Sequence, residues 1–273
     1  MSIHPTSSSG CTLPRESPLV RFPGVVPPSR GQRLAVPELP TGALHIWGFS
    51  LMATPLHANL WAESLSSEEI GRARRFASIS QRAEYVVGHG VLRHLLAAYC
   101  AELPPGLRID SSPAGKPFLA HEKHRHIRFN LSHSHGRALV GISRNIELGI
   151  DVEQVRPEVE VRAIANRFFY GAEIEAIRAA DDAAQRDVFF AHWVAKEAVL
   201  KAEGIGFGFP LDQFGVRFTS DGQRAAVHSS GPTELTQAWS VQMLSCGNGW
   251  AGAVAAPGQN WALSLHHPQS PTT

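Results

Sequence analysis

Apolar and polar residues alternate along "ALHIWGFSL" at residues 43–51, a period of two that predicts a strand. The period changes in "SSEEIGRARRFASISQRAEYVVGHGVLRHLLAAYC", residues 66–100. There Ser67 is a candidate cap followed by acids, and Tyr85, Val86, Leu92, Leu95 and Leu96 recur at helical spacing, so two helices are predicted. "GKPFL" reads as a turn into a short strand, and in "HIRFNLSHSHGRALVGIS" Ile127, Phe129 and Leu131 alternate with Arg128, Asn130 and Ser132. One face of that strand is expected to be buried and the other polar. "RNIELGIDVEQV" predicts a further strand and residues 159–202 a helical region. "FGVRFTS", "AAVHSS", "AWSVQML" and "WAGAVAAP" predict strands joined by turns.

Two echoes run through this pattern. "LSHSHGRALVGIS" at 131–143 matches "LSCGNGWAGAVAA" at 244–256 at Leu, Ser, Gly and Ala, and "RRF" at 74–76 resembles "NRF" at 166–168. Both occur in the same order, which suggests a duplicated unit with a ligand cleft between its copies. The expected fold class is therefore α+β, built of two similar α/β halves. The N-terminal half would span residues 43–146 and the C-terminal half 147–262. Residues 1–42 hold eight prolines and six serines with little periodic hydrophobicity, and are expected to form a disordered extension, as is the tail 263–273.

Composition narrows the function classes. A net charge of +1 and no basic stripe argue against a nucleic-acid reader. Three widely spaced cysteines argue against a disulfide framework, and no segment has the length and apolarity of a membrane span or signal peptide, so a cytoplasmic protein is expected. The chain has 25 Lys and Arg, but only four are lysines, and two of these lie in "FFAHWVAKEAVLKAEGIGF". Where arginine serves as the ordinary surface cation, a lysine suggests a need for a compact point charge.

The neighbouring carboxylates supply that need. In "GIDVE", Leu148, Ile150 and Val152 are expected to face the core, while Gly149, Asp151 and Glu153 face the other way, with Gly149 leaving room for a ligand. Carboxylates two apart on a strand are separated by roughly 6.8 Å and can share a cation. Trp193, Glu197 and Lys201 fall on one helix face, with Lys196 beside them. A third carboxylate and two lysines brought to the strand pair would form an oxygen site for Mg²⁺ that also binds phosphates. Ser132 and His133 in "FNLSHSH" can donate to a phosphate. His121, His124, His126, His133 and His135 could instead suggest zinc, although no cysteine or carboxylate completes the usual spacing.

"GKP" (115–117), "FNLSHSH" (129–135), "GIDVE" (149–153) and "WVAKEAVLKAEGIGF" (193–207) occur in the order and approximate spacing of the 4′-phosphopantetheinyl transferases of the surfactin-synthetase-activating type, which the chain resembles over about residues 44–260. The resemblance implies a monomer of two pseudo-twofold-related halves with coenzyme A between them, which moves the phosphopantetheine arm of coenzyme A to a serine of an apo acyl or peptidyl carrier protein, releasing 3′,5′-ADP. It implies that Asp151, Glu153 and Glu197 hold Mg²⁺ and that Lys201 contacts the coenzyme A pyrophosphate. Ser132, His133, Arg72 and Arg82 would contact phosphates, and Lys116 would line the nucleotide pocket. Lys196 is counted with the coenzyme A-binding residues, and Glu197 with Lys201 is expected to be catalytic. The long proline-rich start departs from the family pattern, as does Glu69, where some relatives carry a basic residue. The alternatives are a noncatalytic coenzyme A or carrier-binding module and a metal-dependent nuclease.

Overall fold

A computed structural model of the chain describes residues 17–29, 31–206, 209–229 and 235–269. The first half runs β1 (Ala43–Ser50), α1 (Pro55–Ala62), α2 (Ser67–Ala73), α3 (Ile79–Tyr99), β2 (Ile109–Ser111), β3 (Pro117–Leu119), β4 (Ile127–Ser134) and β5 (Arg137–Arg144). The second runs β6 (Gly149–Gln154), α4 (Val161–Phe168), α5 (Gly171–Ala179), α6 (Asp182–Glu203), β7 (Phe214–Phe218), β8 (Arg224–Ser229), β9 (Trp239–Leu244) and β10 (Trp250–Pro257), before β11 (Ala262–His266) closes the chain. One sheet has the order β11-β1-β5-β4 and the other β6-β10-β9-β8-β7, so β4 and β6 are the edges that face each other.

Each half builds its own core from a long helix and a sheet. Val87, Val91 and Leu95 of α3 are fully buried, spaced four apart on the face that packs with Trp47, Phe49 and Trp61. Val194, Ala195, Ala198 and Val199 of α6 are equally buried against β6, β9 and β10. A third apolar cluster, including Leu44, Ile46, Leu148, Ile150, Val152 and Val254, joins the halves. The echo noted in the sequence lies in the two hairpins that enter β5 and β10, each eight residues long. The glycines it aligns, Gly136 and Gly249, both sit in the left-handed region, at φ 81° and 74°.

Three expectations are corrected by the fold. The cap of α2 is Ser66 rather than Ser67. Ser66 Oγ accepts from Glu69 N at 3.2 Å while Glu69 Oε2 accepts from Ser66 N at 2.8 Å, a reciprocal pair that leaves Ser67 as the first helical residue.

The proline-rich start is not uniformly disordered. Val20, Val25, Leu34 and Leu39 are buried, and the backbone of Val20 and Pro18 bonds to Ser245. The strap crosses β1 at Gly48, where any Cβ would meet Val20 and the Arg21 carbonyl at 2.4 Å. Arg137 stacks on Phe22 and Trp250 at 4.8 and 4.3 Å, tying strap and both halves together. Proline forbids helix but favours extended backbone, so a strap needs only isolated apolar anchors and shows no period.

The C-terminal boundary at 262 cuts through β11, which pairs in parallel with β1 from Ala43↔Ala262 to Trp47↔His266 and so belongs to the first half's sheet. Residues 1–16 and 270–273 of the expected disordered ends lie outside the described residues. No helix among the described residues is long and apolar enough to cross a membrane.

Candidate active site

Residues at alternate positions of a strand point to the same side, and on β4 these are Asn130, Ser132 and Ser134. The alternation predicts only that this face is polar, and all three residues are buried. They act as a substitute for a neighbouring strand. Asn130 Oδ1 accepts from Ile150 N at 2.9 Å, and Ser132 and Ser134 Oγ accept from Val152 N and Gln154 N, each at 3.4 Å. The edge N–H groups of β6 are thereby satisfied by side chains, which seams the two sheets without a shared ladder.

The same serines meet the carboxylates of β6. Ser132 Oγ donates to Asp151 Oδ1 at 2.8 Å and Ser134 Oγ to Glu153 Oε2 at 2.7 Å. Across from them lies α6, and its closeness depends on Gly149. A Cβ there would stand 2.0 Å from the Ala198 carbonyl and 2.3 Å from Ala202 N, so the missing side chain admits the helix backbone rather than a ligand, correcting the sequence expectation.

Packed so closely, α6 delivers Lys201 Nζ to Asp151 Oδ1 at 2.6 Å and to Ser132 Oγ at 3.0 Å. Glu197, one turn earlier, is 8% exposed. Burial, then the charges of Asp151 and Glu153 against the opposing pull of Lys201, push its carboxyl up to about 7. Burial and Asp151 raise Glu153 as well, with the Ser134 bond working against them. Asp151 is 2% exposed, and its second oxygen, Oδ2, is buried without a hydrogen-bond partner. A buried carboxylate oxygen left unpaired beside two further acids calls for a cation.

Among the described residues no three His, Cys, Asp or Glu side chains stand close enough to hold a metal ion as they lie. Mg²⁺ needs no such cage, because it is held by one or two carboxylates together with waters and substrate phosphate oxygens. Glu197 and Lys201 open into a cleft of about 300 Å³ shared with Gly115, Lys116, Asn130 and Leu200. A larger hollow of about 510 Å³ lies on the far side of Lys116, with Phe118, Arg128, Glu147 and Trp239 in its wall, but none of the three acids reaches it.

Lys116 lines both spaces and is anchored to Glu147 at 2.7 Å and to the Ala202 carbonyl at 2.5 Å, near the end of α6. It can reach there because Gly204, left-handed at φ 73°, has no side chain; a Cβ would stand 2.8 Å from Lys116 Cδ. His133 is exposed, and partial burial followed by its neighbours His89 and Lys201 lowers its pKa. Arg72 in the last turn of α2 and Arg82 in the first turn of α3 are exposed, on either side of the turn that joins the two helices. Arg82 holds that turn through the Phe76 carbonyl at 3.1 Å, and Arg72 lies near Tyr85.

Lys196 is not in the cleft. It is fully buried, pairs with Glu173 of α5 at 2.8 Å, donates to the Phe214 carbonyl and lies 4.2 Å over the Phe214 ring. One residue from Glu197 is about 100° around the helix, and that turn directs Lys196 to the packing between α5, α6 and β7 rather than to coenzyme A. Glu69 is likewise engaged. Although burial alone would raise it, His89, the Ser66 backbone and Arg93 at 2.6 Å bring its carboxyl down to about 2, so its charge is balanced within the fold.

Sequence reasoning missed Asn130, Ser134, His89 and Tyr85. The first two are i±2 from Ser132, and that spacing was the available signal. His89 follows Tyr85 by one helical turn and stacks on it at 4.0 Å.

The family model of the 4′-phosphopantetheinyl transferase superfamily matches residues 147–255, the stretch that holds β6 and α6. HetI, a 4′-phosphopantetheinyl transferase of Nostoc sp. (strain PCC 7120), is 32% identical over 230 residues, covering 82% of this chain and 92% of that relative. Sfp, a 4′-phosphopantetheinyl transferase of Bacillus subtilis (strain 168), is 32% identical over 159 residues, 58% of this chain and 69% of the relative. Among solved structures, a holo-acyl-carrier-protein synthase of Thermotoga maritima aligns with 20% identity and a TM-score of 0.34 over 41% of this chain and 62% of that one.

Proposed function

The chain belongs to the 4′-phosphopantetheinyl transferase family and is an enzyme that transfers phosphopantetheine to carrier proteins; we propose that it draws the group from coenzyme A in a Mg²⁺-dependent reaction centred on Asp151, Glu153, Glu197 and Lys201. The observation that carries this reading is the unpaired buried oxygen of Asp151 between two carboxylates of raised pKa and a lysine. Asp151, Glu153 and Glu197 would hold the ion, one or two of them directly and the rest through its waters, and when bound it supplies positive charge to the pyrophosphate.

The chain's own groups do the rest. Lys201 already shares its protons between Asp151 and Ser132, and a pyrophosphate oxygen can take one of those bonds as charge gathers on it. His133, Arg72 and Arg82 would steady the phosphates, Ser132 would act on them through the Lys201 ammonium it accepts from, and Lys116 borders the nucleotide space. The carrier serine oxygen forms a bond to the β-phosphorus as the bond to the bridging oxygen breaks, and 3′,5′-ADP leaves. The serine proton goes to Glu197, the one of the three acids that lines the cleft.

Both walls of the cleft come from one chain, which supports action as a monomer. The two cysteines among the described residues, Cys100 and Cys246, are unpaired, in keeping with a cytoplasmic site of action. A noncatalytic module would not require Asp151 and Glu153 near enough to raise the Glu197 pKa.

Glu197→Gln tests the assignment of the base. It preserves size and is expected to lower turnover roughly 10²–10⁴-fold with coenzyme A binding retained. Steady-state turnover and a coenzyme A titration measure the two effects, and unimpaired turnover would remove Glu197 from the role.

A further inference from the structure

Asp151 and Glu153 are held differently. Asp151 has a cation, Lys201, as well as Ser132. Glu153 has no ion-pair partner among the described residues, and its one side-chain hydrogen bond there comes from Ser134. Ser134 is itself fully engaged. A hydroxyl offers one proton and two lone pairs; here the proton goes to Glu153, one lone pair accepts from Gln154 N at 3.4 Å, and His135 Nδ1 lies at 2.9 Å from the same oxygen. With its Nδ1–H tautomer, His135 occupies the second lone pair. That ring reaches back because the hairpin turn holds His135 and Gly136 at φ 41° and 81°. The hydroxyl is 7% exposed as part of its residue and has no freedom to rotate away.

We infer that Ser134, locked by His135 and the Gln154 amide, is the positioning residue that holds the Glu153 carboxylate beside Asp151 and Glu197. Without it, a glutamate side chain with three rotatable bonds has nothing to hold it, and the cost of ordering it would fall on the metal site. The inference rests on the proposed role of Glu153 as a Mg²⁺ ligand.

The test is a titration of Mn²⁺ into the full-length chain with coenzyme A present, with the free ion read by electron paramagnetic resonance. Ser134→Ala is expected to weaken Mn²⁺ binding about tenfold, the scale seen when a group orienting a ligand is removed. Ser64→Ala serves as the control, because it deletes a buried serine hydrogen bond, to the Trp61 carbonyl, away from the cleft and from every carboxylate. It is expected to lower the melting temperature as Ser134→Ala does and to leave Mn²⁺ affinity unchanged. Equal Mn²⁺ affinity in Ser134→Ala and the parent would overturn the positioning role, as would equal weakening in Ser64→Ala. If the parent itself binds no Mn²⁺, the metal reading fails and this inference falls with it.

Discussion

Asp151→Asn is expected to lower turnover by roughly 10³-fold, on the order of 4 kcal/mol of transition-state stabilisation. Asparagine keeps the volume and leaves Oδ1 to accept from Ser132 and Lys201, so the seam between the halves survives. The unpaired acceptor Oδ2 becomes an unpaired donor at the same buried position, which makes the stability change small. What disappears is the charge that Lys201 faces and that a cation would bind. A second readout follows from the same substitution. Asp151 is the largest charge raising Glu197, so removing it should bring the Glu197 pKa below its value of about 7. Carboxyl NMR of the metal-free protein would detect that fall. Turnover close to that of the parent would mean that Asp151 is only part of the seam.

The second large effect is in packing. Gly149→Ala would place a methyl group 2.0 Å from the Ala198 carbonyl and 2.9 Å from the Lys201 carbonyl carbon, atoms of helix backbone that cannot rotate aside. The helix must retreat from β6 by more than an ångström to restore ordinary contact, and α6 carries both Glu197 and Lys201. Overpacking of this kind costs about 3 kcal/mol, which lowers the melting temperature of a domain of this size by about 6–12 °C. Turnover should fall with it, because Lys201 would leave the 2.6 Å contact with Asp151. Thermal melts and steady-state rates test this together. A variant that matches the parent in both would show that the strand-to-helix approach has slack.

Much of this architecture was legible in the chain because it rests on local period. β1, β4, β6 and the two long helices follow alternation or helical spacing, and the site acids lie on those elements. Resemblance to a family supplied their roles, and the spacing of Glu197 and Lys201 on one face of α6 agrees with the geometry of the cleft. What escaped is what depends on distant partners. Alternation shows that Asn130, Ser132 and Ser134 share a face, but it cannot tell water from the backbone edge of β6 on the other side. Gly149 signals a close approach without saying what approaches. Lys196 is off the Glu197 face by helical geometry alone, yet its partner Glu173 lies 23 positions away and on another helix. The strap of residues 17–29 has no period to read, because proline sets its backbone and a few apolar contacts hold it.

The most direct test of the central claim is the intact mass of several apo carrier proteins after incubation with this protein, coenzyme A and Mg²⁺, with and without a chelator. The account predicts that at least one carrier gains the mass of a single phosphopantetheine on a serine, that 3′,5′-ADP appears in equal amount, and that the chelator stops both. A gain that persists undiminished in the chelator would contradict the metal-dependent mechanism, and no gain on any carrier despite bound coenzyme A would contradict the assignment of coenzyme A as donor.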